Sequence, residues 1–355
     1  MASPRKSRSK TIAVTGAAGY IAGRLIEALC SDDRIDRVLG FDVREPDLRH
    51  DKFVFDEVDA RNEALKSRFE GVDVVVHLAF IMDPIKDEAM MRDVNVHGSQ
   101  NVFRCAGAAG VKKLVYTSSA TVYGAHPDND LPLTEDSPLR ANLDFSYPAH
   151  KLEVEYVVRE FREEFPNVKM TVFRPAIVFG PNVDNAWSHA LELPVLFGVK
   201  GYSPPIQFVH EDDVGDALRF AVFEDLDGNY NLAAEGWLEA ADALRIIGRR
   251  RLELSEANAF SLVQRLWDRG WAEAPAGMLH YLMHPWVVSG DRLTEAGFRP
   301  ERTNEEALAE TASGLRSYVR VGRRRLKKKD VAAGAAAGLG VIGTVAAVRT
   351  ARSRG

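Results

Sequence analysis

The run Thr11-Ile-Ala-Val-Thr15-Gly16-Ala-Ala-Gly19-Tyr-Ile-Ala22-Gly23 reads as a strand, a tight turn and the start of a helix. Thr11–Thr15 is short and β-rich. Leu25, Ile26 and Leu29 then recur at helical spacing. Glycine lets the backbone turn sharply and approach a pyrophosphate. The helix N-terminus behind it offers free N–H groups and the positive end of a dipole. A glycine-rich string alone is weak evidence. Here strand, loop, helix and a downstream acid agree. The acid is Asp42, at the end of the next apolar run, Val38-Leu-Gly-Phe41. A carboxylate there accepts hydrogen bonds from both adenosine ribose hydroxyls and repels a 2′-phosphate, so the expected cofactor is NAD rather than NADP. Arg44 weighs the other way, because an arginine nearby could accommodate that phosphate.

Outward from this unit the chain alternates. Val72–Leu78 is a nearly continuous apolar run, as a strand buried on both faces should be. A helical pattern fills Asp87–Ala109. Lys113–Ser118 reads as a strand, Tyr147–Phe165 as a helix and Met170–Phe173 as a strand. Such alternation predicts an α/β fold, a doubly wound parallel-sheet Rossmann architecture with ligand loops along one edge. After Arg174 the rhythm changes to Pro-rich loops and short helices. The expected organisation is a basic N-terminus over 1–10, an NAD-binding Rossmann domain over 11–174, a smaller substrate-binding lobe over 175–320 and a tail over 321–355.

Of the 355 residues, 46% are hydrophobic and 27% charged, which suits a globular domain with a substantial core. Two cysteines, Cys30 and Cys105, are too few for a disulfide framework and form no C-x-x-C pair. They read as reduced core thiols of a reducing compartment. His77, His97 and His210 stand apart without metal spacing, so no metal is expected. Basic residues gather at the two ends, which leaves an acidic body and argues against nucleic acid as a partner.

Tyr147-Pro-Ala-His-Lys151 has Y-x-x-x-K spacing, which puts a phenol and an ammonium on one helix face. A nearby cation favours phenolate, so Tyr147 is expected to titrate below its usual value and serve as an acid/base. Ser119, just past a strand end, completes the expected catalytic set by hydrogen-bonding the reacting oxygen. Ser118 is the adjacent alternative and Thr121 an assistant. Trp187, Trp267, Trp271 and Trp286 read as core or pocket lining, and Asp212 and Asp213 as helix-start acids.

These motifs together resemble the extended short-chain dehydrogenases/reductases, the NAD-dependent epimerase/dehydratase family. Thr15-Gly-Ala-Ala-Gly-Tyr-Ile looks like its TGxxGxxG fingerprint, with Ala22 at the third glycine. Val76-His-Leu-Ala79 resembles its HLAA strand end and Asn95-Val-His-Gly-Ser-Gln-Asn-Val its NVxGTxNV helix. Val115–Gly124 resembles its SSAxVYG segment, Arg174-Pro175 its RPxxVYGP segment, and Phe208–Asp213 its FVHVDD segment. The resemblance implies cofactor contacts at Gly16, Gly19, Tyr20, Ile21, Asp42, Asp59, Ala60, Leu78, Ala79, Phe80, Asn95, Thr117, Tyr147, Lys151 and Pro175, with Asp59 at the adenine and Lys151 on the nicotinamide ribose. It also carries an expectation of homodimers.

The family interconverts secondary alcohols and ketones, either on nucleotide sugars or on steroid- and flavonoid-like alcohols. Asn182–Gln207 is short and apolar, and within it only Lys200 could meet a diphosphate. That favours an oxidoreductase for a hydrophobic or small hydroxyl substrate. The alternative is a nucleotide-sugar epimerase/dehydratase that retains its NAD. A second alternative, a non-catalytic dinucleotide sensor or scaffold, has no need of Ser119, Tyr147 and Lys151. In the tail, a basic run (Arg323–Lys329) precedes eighteen uncharged residues, Val331–Val348, with Gly334 and Gly338 in GxxxG spacing. The segment is just long enough to span a bilayer, though weakly apolar. It predicts an enzyme in the cytoplasm, tethered to the cytoplasmic face of a membrane. The other reading is a disordered tail bound to nothing.

Overall fold

The computed structural model describes residues 9–327 apart from 194, 317, 322 and 323, with side chains described through 315. The first half runs β1 (Lys10–Thr15), α1 (Tyr20–Cys30), β2 (Ile35–Asp42), β3 (Phe53–Glu57), α2 (Leu65–Arg68), β4 (Val74–His77), α3 (Glu88–Arg92), α4 (Gly98–Ala108), β5 (Lys113–Thr117), α5 (Ser146–Glu164) and β6 (Lys169–Pro175). The expected strands and helices are present within a few residues of their predicted ends. The predicted helix over 87–109 contains one wide π-type turn, Asp93–His97, between α3 and α4. β3 carries mixed burial along its length and gave no clean sequence signal.

The second half supplies β7 (Ile177–Phe179), α6 (Ala186–Glu192), β8 (Val195–Val199), β9 (Phe208–His210), α7 (Glu211–Phe223), β10 (Gly228–Leu232), α8 (Ala240–Ile247), β11 (Arg250–Leu254) and α9 (Glu256–Asp268). The central sheet has seven strands in the order β10-β6-β5-β4-β1-β2-β3, and each neighbouring pair is parallel. The order reverses between β1 and β4, so the loops after these two strands frame the crevice where such sheets bind ligands.

Side-chain alternation builds both faces. Ile12 and Val14 of β1 pack beneath α1 and α7, with Leu25, Ile26, Leu29 and Leu218. Ala13 points the other way, into a core shared with Val75, Leu114, Val102 and Val158 under α4 and α5. Cys30 and Cys105 are buried in these two cores and unpaired. The division at residue 174 needs amendment. β10 pairs with β6 and α7 packs on α1, so residues 211–232 return to the Rossmann layer before the lobe is completed. The physical reason is that β6 would otherwise be an exposed edge with an open row of backbone donors and acceptors.

A network built on a buried ion pair ties the first half to β10. Arg174 on β6 meets Glu155 on α5 through two bonds of 2.9 Å, and both side chains are 3% exposed. Arg174 also donates to the Tyr123 hydroxyl at 2.8 Å, which donates to Asn231 of β10 at 2.7 Å. Glu155 beside the guanidinium holds Arg174 above its ordinary pKa against the opposing effect of burial. Removing one member strands the other charge in the core. Glu155→Ala is therefore expected to lower unfolding stability by about 3–5 kcal/mol, read from urea denaturation. A loss under about 1 kcal/mol would show that water reaches the pair.

Candidate functional site

Gly16 turns the chain off β1 with φ +74°, a conformation that L side chains rarely adopt. A Cβ there would lie 2.5 Å from the Ala79 nitrogen, so β1 and the loop after β4 touch through backbone alone. Gly19 is the N-cap of α1 and brings no capping side chain, which leaves the first-turn N–H groups facing the crevice. Tyr20 opens this helix and is 37% exposed, while Ile21 packs on the core. The Asp42 carboxylate lies against the loop, accepting from the Ala18 and Arg44 amides at 3.0 Å each.

The other residues predicted for this site sit along the same sheet edge. Asp59 and Ala60 follow β3. Arg61 grips the Asp59 carboxylate through Nε and Nη2, which holds its pKa below the usual carboxylate range. Ala60 is anchored through its carbonyl by Asn101 at 2.8 Å. Leu78, Ala79 and Phe80 form the half-buried loop after β4. Asn95 is fully buried and spends its amide on both backbone groups of Ile81, at 2.7 and 3.0 Å. It therefore shapes that loop from behind. Pro175 ends β6 and is buried. The Thr117 hydroxyl at the end of β5 is buried with no hydrogen-bond partner.

His77 is a structural histidine. Ser99 donates its hydroxyl to the Asn95 carbonyl at 2.6 Å, so it must accept from His77 Nε2, at 2.9 Å. His77 Nδ1 then accepts from the Thr15 hydroxyl at 2.7 Å. Burial, reinforced by the Lys151 charge, drives this imidazole down to about 3 and keeps it neutral. Asp213 lies in the first turn of α7, as expected, and also accepts from the Glu301 and Arg302 amides.

Ser119, Tyr147 and Lys151 come together above β5. Lys151 is 4% exposed; its Nζ donates to the Thr117 carbonyl at 2.7 Å and lies 3.6 Å from the Phe80 ring centroid. The Tyr147 ring packs edge-on to Phe80 at 5.8 Å, and Lys151 Nζ is 5.9 Å from the Tyr147 centroid. Thr121 donates its hydroxyl to Ser119 Oγ at 2.9 Å. The expected lowering of Tyr147 by Lys151 is not what the geometry produces. Burial pushes the phenol up to about 12, with the Ser119 hydroxyl beside it acting in the opposite direction. The reason lies in Lys151 itself, which burial brings down to about 7 against the pull of Glu155. Its proton is directed at Thr117 rather than at the phenol.

A cavity of about 470 Å³ is linked to this cluster through one of its lining residues, Tyr281. Its wall includes Tyr281, whose hydroxyl donates to the Thr121 carbonyl at 3.0 Å. Phe145 packs between the Tyr281 and Tyr147 rings, at 6.1 and 6.3 Å. Trp187, Trp271 and Trp286 line the cavity; Trp267 is buried and lies under Lys86. Arg251 lines it too, brought there by the pairing of β11 with β8. Tyr281 and Arg251 sit outside every motif, and no sequence signal pointed to them. The tail segment Val331–Val348 lies outside the described residues. Among the described residues no helix is long and apolar enough to cross a membrane.

Residues 12–233 match the model of the NAD dependent epimerase/dehydratase family. The chain is 28% identical over 309 residues to the uncharacterized protein Rv0501 of Mycobacterium tuberculosis (strain ATCC 25618 / H37Rv), covering 84% of this chain and 82% of that one. It is 30% identical over 176 residues to the N-acetyl-alpha-D-glucosaminyl-diphospho-ditrans,octacis-undecaprenol 4-epimerase of Escherichia coli O157:H7, covering 48% and 49%. Among solved structures it is similar to the UDP-glucose 4-epimerase of Thermus thermophilus in complex with NAD, with a TM-score of 0.67, 21% identity and coverage of 87% and 100%. It is also similar to MoeE5 in complex with UDP-glucuronic acid and NAD, with a TM-score of 0.68, 20% identity and coverage of 86% and 99%. At such identities the structures establish the shared fold.

A buried lysine with a depressed pKa leaves a pH signature. Between about 7 and its unfolded value near 10.4, the unfolded chain binds a proton at Lys151 that the cofactor-free folded chain lacks. Stability from this group therefore rises with pH across that window, and below it the buried charge opposes folding. Relative to wild type, Lys151→Met is expected to be more stable at pH 7, with the advantage shrinking toward pH 10. Parallel urea denaturation curves would check this. A constant difference would contradict it.

Proposed function

Because the chain belongs to the NAD dependent epimerase/dehydratase family, we propose that it oxidises a sugar hydroxyl transiently, on a substrate activated by a diphosphate, with NAD as a retained cofactor. The observation that carries this reading is the meeting of Ser119, Tyr147 and Lys151 at the sheet edge that also holds the Gly16 turn. The residues fit a dinucleotide. The Gly16 turn and the uncapped first turn of α1 suit the pyrophosphate, and Asp42 suits the adenosine ribose. The unpartnered Thr117 hydroxyl is a further polar group left for a ligand.

When bound, NAD supplies a hydride acceptor and donor. The rest falls to the chain's own residues. Tyr147, as phenolate, takes the proton of the substrate hydroxyl and, as phenol, returns it in the reverse direction. Ser119 donates a hydrogen bond to the same oxygen as it becomes a carbonyl. Lys151 is the positioning cation, with Thr117 fixing its direction. The high intrinsic value of Tyr147 makes the phenol a proton donor in the free protein.

The substrate reading moves from a steroid- or flavonoid-like alcohol to the diphosphate-activated sugar. Similar proteins carry names of sugar epimerases, with the diphosphate joined to a nucleoside in one and to undecaprenol in another. Tyr147→Phe is expected to lower kcat by about 10²–10⁴-fold while leaving NAD in place. Turnover assays, with mass spectrometry of nucleotide released on denaturation, measure both. Wild-type turnover in the variant would exclude Tyr147 as the acid/base. A protein that is empty as isolated and binds added NAD would point instead to a dehydrogenase that exchanges cofactor each cycle.

A further inference from the structure

Resting on the diphosphate-sugar reading, we propose that the sugar is carried on a polyprenyl diphosphate, whose first isoprene units occupy the apolar cavity walled by Tyr281. At about 470 Å³ the cavity lies in the range of small-molecule sites. Its walls are Trp187, Leu191, Leu196, Ile247, Met278 and Trp286. A nucleoside would bring a base and ribose that need partners, and buried polar edges left unmatched are costly. Polar groups on these walls already have partners within the protein. The Trp286 indole donates to the Tyr281 carbonyl at 3.1 Å, and the Tyr281 hydroxyl to Thr121. His189 is held between Asp184 and Glu273. An isoprenoid asks for no such partners.

The lining has one lysine or arginine among the described residues, Arg251. Its guanidinium lies against Gly198, where a Cβ would fall 2.0 Å from Nε, and Nη2 donates to the Tyr202 carbonyl at 2.7 Å. Glu253 lies 3.6 Å from Nε; the donors left over on this fixed guanidinium suit one diphosphate. At the mouth, three apolar lining residues are open to solvent: Leu193 at 42%, Phe197 at 47% and Trp271 at 75%. Leu252, paired with Phe197 across β8 and β11, extends the rim at 49%. A pocket for a water-soluble carrier needs no such edge. A chain longer than the cavity does, because its remainder must lie on apolar surface as it leaves.

The test uses the full-length protein and two probes, farnesyl diphosphate and UDP. Each is titrated separately, with tryptophan emission and calorimetry as readouts, since Trp187, Trp271 and Trp286 line the cavity. Farnesyl diphosphate is expected to bind at least about tenfold tighter than UDP. Phe197→Ser and Trp271→Ser should each weaken it roughly fivefold, the scale of losing partial burial of one large side chain, with UDP binding unchanged. Both side chains are exposed, and thermal melting of each variant checks that it folds. Tighter binding of UDP, or farnesyl diphosphate binding that neither substitution weakens, would overturn the proposal. Retained NAD and Tyr147-dependent turnover report on the underlying chemistry separately, so the carrier can fail while the reaction stands.

Discussion

The loops after β1 and β4 meet at a point with no room for a side chain. Gly16 sits there at positive φ, and the Leu78–Ala79 backbone passes within contact distance of the place its Cβ would occupy. This one steric condition brings the start of α1 over the crevice and sets the loop carrying Phe80. Phe80 in turn receives both the Lys151 ammonium and the edge of the Tyr147 ring. Asn95 braces the loop from behind through Ile81, and the Thr15–His77–Ser99 chain fixes the ends of β1 and β4 against α4. The site is thus a set of rigid elements held by backbone contact and neutral hydrogen bonds, rather than by mobile side chains.

Charge is admitted into this core under strict terms. Arg174 and Glu155 are buried as a two-bond pair, with Tyr123 and Asn231 extending the network. Lys151 has no such carboxylate in contact. Its partners are a carbonyl, a phenol and an aromatic face, and burial lowers its pKa accordingly. The contrast is one of charge state. A fully paired ion pair is fixed in its charge state, whereas an ammonium balanced near neutrality responds to whatever charge enters beside it.

Most of the first half of the fold was legible because β1, β4, β5 and β6 are largely buried on both faces and the helices α1 and α5 are amphipathic, so composition and periodicity both speak. The local geometry of the candidate site was equally legible. Gly16, Asp42, Ser119 and the Tyr147–Lys151 spacing each express a short-range rule about turns, strand ends or helix faces. The protonation balance was not. Spacing puts Lys151 near Tyr147, but burial outweighs their coupling, and burial depends on α5 packing over β5 and on Phe80 arriving from β4. Neither was the role of β10, a short segment with two asparagines that becomes a strand because β6 needs a partner.

By itself, then, the amino-acid order determined a parallel α/β sheet, a tight glycine turn after β1 and a hydroxyl–phenol–ammonium set, since each follows from interactions within a few residues along the chain. Only the tertiary structure decided what faces that set. Arg251 reaches the cavity through β11 pairing with β8, and Tyr281 through its bond to Thr121. These contacts join segments some 50 and 160 residues apart. No local pattern encodes them, because they are fixed by which surfaces pack once the sheet has formed.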